Sequence, residues 1–139
     1  MGGILGAVVA GVDKRIEAVA LVSAGADWTE MLRLNNSGAS LEVKQAGVEP
    51  EVFGAALRPV DPLYWVMEIS PRPVLMLNGN QDTIVAVPTC QLLHDLAEEP
   101  KRVVWYDSGH SLPLPQAFAE IVAWFGAWLK PASEAPPED

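Results

Sequence analysis

Two short apolar runs, each followed at once by polar turn residues, constrain the fold of this chain more than any other feature. The run 73–77 is followed by NGNQD (78–82), and the run 102–106 is followed by DSGH (107–110). Runs of this length are typical of buried strands, and Asn, Gly, Asp and Ser favour the turns that end them. In open α/β sheets the carboxyl ends of the strands are where ligands bind. We therefore expect Asp82 and His110 to meet at one edge of a parallel sheet, as an orienting carboxylate and a general base.

The remaining periodicity predicts an α/β protein. A β-branched run at 16–22 indicates a third strand. The segment 3–12 is apolar on every side, which is typical of a buried helix. Further helices are predicted over 28–35, 87–98 and 115–129, each from apolar residues at helical spacing.

These motifs carry a resemblance to a known family. The segment from Asp61 to Leu129 contains DPLYW (61–65), PRPVLMLNGNQD (71–82) and KRVVWYDSGH (101–110). It closely resembles the C-terminal part of α/β-hydrolase-fold esterases. The resemblance implies a three-layer α/β-hydrolase-like fold with a truncated parallel sheet of about three strands flanked by helices. It also implies one domain over 1–130 with a possible cap segment at 36–66, and we expect a disordered tail at 131–139.

The resemblance also implies catalytic roles. Asp82 stands at the position of the family's acid, and His110 stands at the position of its base. The opening MGGILG looks like the residues that follow the serine of a G-x-S-x-G nucleophile elbow, which places that serine immediately before Met1. Asp107 is a rival partner for His110 by closeness in sequence.

The sequence therefore leaves the identity of the nucleophile undecided. Ser23 is the best surrogate, because it lies at the carboxyl end of strand 16–22, next to the strand that bears Asp82. Other candidates, and the alternative that all of them are structural turn residues, remain possible. These candidates are Ser37, Ser40, Ser108 and Ser111.

The function implied is that of a carboxylic-ester hydrolase acting on a small ester, with Asp82 and His110 serving a replacement serine or water. Two alternatives stay open. The chain is a catalytically silent module that uses the hydrolase fold for binding or assembly, or it is a piece whose true start lies upstream. Leu57, Leu63, Tyr64, Trp65 and Met67 are candidates for an acyl pocket and equally for ordinary core.

Composition narrows the partners. A net charge of −9 argues against nucleic acid and anionic membranes, and no apolar run approaches the ~18 residues of a membrane span. The single cysteine, Cys90, allows no disulfide framework, and we read it as a packed thiol in a cytoplasmic protein. No cofactor and no metal is expected. His94 is predicted to be a solvated surface residue, since it falls away from the face formed by Leu92 and Leu96.

A truncated sheet has a packing consequence. Strand 16–22 would form an exposed edge, and helix 3–12 would be left half uncovered. We therefore predict a homo-oligomer, a two-fold dimer formed through the edge of strand 16–22 or through helix 3–12.

Overall fold

The computed structural model describes residues 1–35 and 38–129. The predicted tail 131–139 and two residues of the predicted cap segment, 36 and 37, lie outside the described residues. The helices and strands follow the predicted order, with boundaries that differ by a few residues. They are α1 (Gly2–Val12), β1 (Val19–Val22), α2 (Trp28–Leu34), α3 (Gly38–Gln45), α4 (Pro50–Leu57), β2 (Val74–Gly79), α5 (Val87–Leu96), β3 (Lys101–Tyr106) and α6 (Leu114–Trp128), with three short 3-10 helices between α4 and β2 (Arg58–Val60, Pro62–Tyr64 and Val66–Ile69).

The sheet is parallel, with the order β1-β2-β3. Val19 pairs with Val74, which in turn pairs with Lys101 on the other side, so β2 is central and β1 is an edge strand. All six residues of β2 are buried, as expected for a strand covered on both faces. The predicted fold class, a truncated parallel sheet of about three strands flanked by helices, is confirmed.

Alternation along the strands builds a separate core on each face of the sheet. Val74 and Met76 point into a cluster formed with α1, α5 and the short 3-10 helices. Leu75 and Leu77 point the other way, into a cluster with α6 that includes Trp124. The two clusters make the molecule three layers thick.

Helix α1 is buried on one side only, in agreement with the expectation that this apolar helix is left half uncovered. Ile4, Ala7 and Val8 are in the core, whereas Leu5 and Val9 are exposed. Gly11 explains the close approach of the buried side, because a Cβ at this position would overlap the backbone carbonyl of Trp65.

The predicted cap region contains α3 and α4, and its end is tied to α2 by a buried carboxylate. Asp61 accepts hydrogen bonds from the amides of Asp27 (3.0 Å), Trp28 (2.9 Å) and Leu63 (3.0 Å). The bonds from Asp27 and Trp28 satisfy amides at the beginning of α2 that have no partner within the helix. Asp61 in the DPLYW motif therefore has a structural role.

His94 is buried, and the prediction of a solvated surface residue is wrong. The inner face of α5 is formed by Thr89, Cys90, Leu93 and His94, and only 3% of His94 is exposed. A contact of 2.8 Å with the Asn78 side-chain amide, together with an edge contact to the Trp105 ring, accounts for its position.

Candidate active site

The loops that follow β2 and β3 pack directly against each other. The amide of Asn80 donates to the Tyr106 carbonyl (2.9 Å), and the amide of Gln81 donates to the Ser108 carbonyl (3.0 Å). Gly79 allows this approach, since a Cβ there would overlap the carbonyl oxygens of Ser108 and Gly109. These contacts hold the two loops, which leave neighbouring parallel strands, at a fixed distance from each other.

Asp82 and His110 are brought together by this packing. His110 Nδ1 lies 2.8 Å from Asp82 Oδ2. Asp82 Oδ1 accepts hydrogen bonds from the amides of Ile84 (2.8 Å) and Val85 (3.0 Å). The Asp82 side chain is fully buried, whereas 38% of the His110 side chain is exposed.

The hydrogen bond fixes the tautomer of the neutral imidazole. A carboxylate can only accept, so Nδ1 carries the hydrogen and the lone pair of Nε2 is available as a base. Within residues 1–35 and 38–129, no hydrogen-bond partner of Nε2 is found. The arrangement holds an imidazole in one orientation and leaves its basic nitrogen open to a reactant.

Asp107, the rival partner, does not contact the imidazole. Its carboxylate accepts a hydrogen bond from the Gln81 side chain at 2.6 Å. It ties the two loops together at the surface.

Ser23 is buried at the end of β1 with a φ of 47°, a left-handed conformation that is uncommon for residues other than glycine. Its hydroxyl donates to the main-chain carbonyl of His110 at 3.2 Å. The structure therefore brings Ser23 to the His110 loop, with its hydroxyl on the backbone rather than on the ring.

The other candidate serines are more dispersed. Ser111 is exposed and lines the same cavity as His110, and Ser108 donates weakly to the Gly109 carbonyl at 3.4 Å. Ser40 lies on α3, where it lines a second cavity. Ser37 lies outside the described residues.

One cavity is lined by His110, and a second is lined by residues of the loop after Asp82. The first has a volume of about 520 Å³ and is walled by His110, Val22 and the beginning of α6. The second, about 360 Å³, lies between α2, α3, α4 and the loop after Asp82, and it is lined by apolar residues such as Phe53 and Ile84. A buried carboxylate bonded to an imidazole that lines a cavity is an arrangement suited to acid–base chemistry.

Of the five proposed acyl-pocket residues, one lines either of the two cavities described above. Leu57 lines the second cavity. Leu63 packs against the core, the indole of Trp65 donates to the Pro59 carbonyl, and Tyr64 and Met67 are partly exposed.

Cys90 is a packed thiol, as predicted. It is fully buried, and burial, together with the charge of Asp82, raises the pKa of the thiol to about 12. A thiol in this state is a poor nucleophile.

Among the residues that the structure describes, no group of three or more His, Cys, Asp or Glu side chains is placed to hold a metal ion. None of the described helices combines the length and the apolar character that crossing a bilayer requires.

The fold of this chain matches that of solved esterases and hydrolases. Over 92% of its length, the chain is similar to an acetyl xylan esterase from Paenibacillus sp. R4, with a TM-score of 0.81 and 25% sequence identity. A second acetyl xylan esterase, from Thermoanaerobacterium sp. JW/SL YS485, matches 89% of the chain with a TM-score of 0.72 and 23% identity. An α/β hydrolase from Penicillium sp. sh18 matches 91% with a TM-score of 0.66 and 14% identity. The chain has the α/β-hydrolase fold.

The predicted resemblance to the later part of α/β-hydrolase-fold esterases is confirmed. The chain spans 43% of the length of the Paenibacillus esterase, 41% of the Thermoanaerobacterium esterase and 61% of the Penicillium hydrolase. No protein-family model matches the sequence, and no curated protein matches it.

Proposed function

We propose that the chain takes part in the hydrolysis of carboxylic esters, with His110 as general base and Asp82 as the group that orients it. The observation that carries this proposal is the 2.8 Å contact between His110 Nδ1 and Asp82 Oδ2. The fully buried carboxylate stabilises the imidazolium that forms when His110 takes a proton from the nucleophile. The imidazole lines a cavity large enough for a small ester.

Two nucleophiles are compatible with this role. The first is the Ser23 hydroxyl, which would have to rotate away from the His110 carbonyl to reach the imidazole. The second is a water molecule held in the cavity beside His110. In both cases the base removes the proton of an O–H group as its oxygen attacks the ester carbonyl carbon, and the alcohol leaves after it receives a proton from the imidazolium. With water as nucleophile this releases the acid directly. With Ser23 the acyl group stays on the serine oxygen until a water molecule, deprotonated by the same imidazole, attacks it and releases the acid and the free serine.

Short acyl esters are the proposed substrate class. Two of the solved structures described above are acetyl xylan esterases, and one of them is 25% identical to this chain. We therefore propose acetyl esters of small alcohols or sugars as the first substrates to examine.

The experiment compares p-nitrophenyl acetate hydrolysis by the wild-type chain and by His110→Ala. An exposed histidine can hydrolyse an activated ester without any site, so free imidazole at the same concentration is measured alongside. We expect the wild type to exceed free imidazole by at least about 10²-fold, because general base catalysis by a positioned group contributes 10²–10⁴-fold. Rates equal in wild type and His110→Ala would refute the proposal.

A matched control uses Asp107→Asn. This residue lies in the same loop as His110 and bonds to Gln81 rather than to the imidazole. Its hydrolysis rate should stay within about twofold of wild type, since it touches neither the base nor the buried carboxylate.

A further inference from the structure

The peptide group that joins Ile84 to Val85 is held by hydrogen bonds at both of its ends. Its N–H, which belongs to Val85, donates to Asp82 Oδ1 over 3.0 Å. Its carbonyl, which belongs to Ile84, accepts a hydrogen bond of 2.7 Å from the side-chain amide of Asn35. A trans peptide is planar, and its N–H and C=O point in opposite directions. The Asn35 bond therefore fixes the direction in which this N–H meets the carboxylate.

The backbone of Asn35 is itself anchored. Asn35 ends α2, and its amide donates to the carbonyl of Met31 at 3.1 Å. Its carbonyl accepts a hydrogen bond of 2.7 Å from Lys44 Nζ, which reaches across from α3. Met31 belongs to the core, so these bonds connect Asn35 to the packed part of the molecule. A side chain supported in this way can hold the Ile84 carbonyl in one place.

The orientation of the Asp82 carboxylate depends on the backbone donors around it. Oδ1 accepts hydrogen bonds from the Ile84 and Val85 amides, and Oδ2 contacts His110 Nδ1 at 2.8 Å. The two oxygens are rigidly joined through one carbon, so a rotation that moves Oδ1 also moves Oδ2. Any freedom of the 84–85 peptide is therefore passed on to the hydrogen bond with the imidazole.

The Asn35 amide, the 84–85 peptide and the carboxylate form a short hydrogen-bond chain. A bond accepted by the peptide carbonyl polarises the peptide and makes its N–H a stronger donor. The bond at the other end is of the stronger kind, since its acceptor is ionised. Asp82 and Val85 are both buried, which shields this bond from water. A side chain at the end of α2 thus acts on a buried carboxylate through one intervening peptide group.

We propose that Asn35 is a positioning residue for the Asp82–His110 pair. Through the 84–85 peptide it keeps the carboxylate in the orientation in which Oδ2 accepts the imidazole hydrogen. Its effect on hydrolysis rests on the proposed function, whereas its effect on the 84–85 peptide does not. The two effects are therefore measured separately.

The first measurement is amide hydrogen exchange in Asn35→Ala and Asn35→Asp, with circular dichroism to check that both are folded. Ionised aspartate has nearly the size of asparagine but no hydrogen to donate to the Ile84 carbonyl. In both variants the Val85 amide should exchange at least about tenfold faster than in the wild type, because its peptide can turn away from the carboxylate. The Leu75 amide in β2 should not change. An unchanged rate at Val85 in both variants would overturn the proposal.

The second measurement is steady-state hydrolysis of p-nitrophenyl acetate by the same two variants. A loosened orienting group weakens the base in the transition state rather than the binding of the ester, so kcat should fall by about tenfold while KM stays within about twofold. The control is Gln91→Ala on α5, where the side-chain amide donates to Asp95 at 2.8 Å in an exposed contact. This variant should match the wild type in kcat and in exchange at Val85.

The two readouts distinguish failure of this inference from failure of the proposed function. Faster exchange at Val85 with an unchanged kcat, in a wild type that hydrolyses the ester, would overturn the role of Asn35 in positioning the pair. Losses in Gln91→Ala as large as those in Asn35→Ala would overturn it as well. A wild type no faster than His110→Ala would refute the proposed function, and exchange at Val85 would still decide whether Asn35 holds the peptide.

Discussion

The side-chain amide of Asn78 donates a hydrogen bond to His94 Nε2 over 2.8 Å, beneath the sheet and out of contact with solvent. Burial lowers the pKa of His94 to about 4, and the nearby Lys101 adds to this effect while Asp95 opposes it. The folded protein therefore keeps this imidazole neutral at pH values where an exposed histidine would be charged.

The His94 burial predicts a loss of stability in mild acid. Between the ordinary value of 6.5 and the folded value of about 4, the unfolded chain binds the proton and the folded chain does not. The free energy of unfolding should thus fall as the pH decreases through this window, by on the order of 3 kcal/mol in total, and this contribution should not change further below it. Urea denaturation of the wild type and of His94→Gln at several pH values measures the effect. A slope in His94→Gln as steep as in the wild type would contradict it.

The Asp82→Asn variant tests whether His110 acts as a base oriented by Asp82 or only as an exposed histidine. The amide group can keep a hydrogen bond from the Ile84 or Val85 backbone, but its nitrogen cannot accept one from His110 Nδ1. The imidazole then has no partner that holds its hydrogen on Nδ1, and ester hydrolysis should fall by about 10³-fold or more. Steady-state hydrolysis of p-nitrophenyl acetate measures this loss. A rate equal to that of the wild type would mean that His110 acts as an isolated imidazole.

Ser23→Ala tests which group attacks the ester. Its hydroxyl donates to the His110 carbonyl, so we expect a loss of about 1 kcal/mol in stability and less than a tenfold loss in hydrolysis. In the wild-type chain, a fluorophosphonate should correspondingly leave Ser23 unlabelled in peptide mass spectrometry. A loss as complete as that of His110→Ala, together with a label on Ser23, would instead identify Ser23 as the nucleophile.

Gly79→Ala should disturb the site without touching either functional side chain. The added Cβ meets backbone carbonyls of the His110 loop, which cannot rotate away. We expect a cost of about 1–3 kcal/mol in unfolding free energy, and a loss of hydrolysis greater than tenfold as the Asp82 and His110 loops separate. Gly126→Ala in α6 is the control, because a Cβ there meets nothing. It should be neutral or slightly stabilising. Equal effects of the two substitutions on activity would rule out loop spacing as the cause.

Much of the site was predictable from local patterns. Apolar runs ending in NGNQD and DSGH indicate strands that stop at polar loops. Parallel pairing of β2 with β3 then brings Asp82 and His110 to the same edge. The predicted meeting of Asp82 and His110 does not depend on precise strand boundaries. An error of a few residues in a boundary still leaves the loop residues at the carboxyl ends of their strands.

Positions that depend on packing from elsewhere in the chain were less predictable. The periodicity of α5 predicted a buried face at Leu92, Leu93 and Leu96. Of these only Leu93 is among the buried residues of the helix, and His94 is buried beside it. Asn78 and Trp105, which come from two different strands, provide the surroundings for this imidazole. Helix α1 was also unpredictable in this respect. Its sequence is apolar on every side and therefore does not indicate which side packs against the sheet and which is exposed.

The sequence by itself determined the alternation of strands and helices, and it identified the loops that carry the carboxylate and the imidazole. These features follow from side-chain periodicity and turn preference, which act over a few residues. Only the tertiary structure decided that Asp82 rather than Asp107 contacts His110 and that the Ser23 hydroxyl binds a backbone carbonyl. Each of these depends on contacts between segments far apart in the chain, and their geometry is set by how the layers pack.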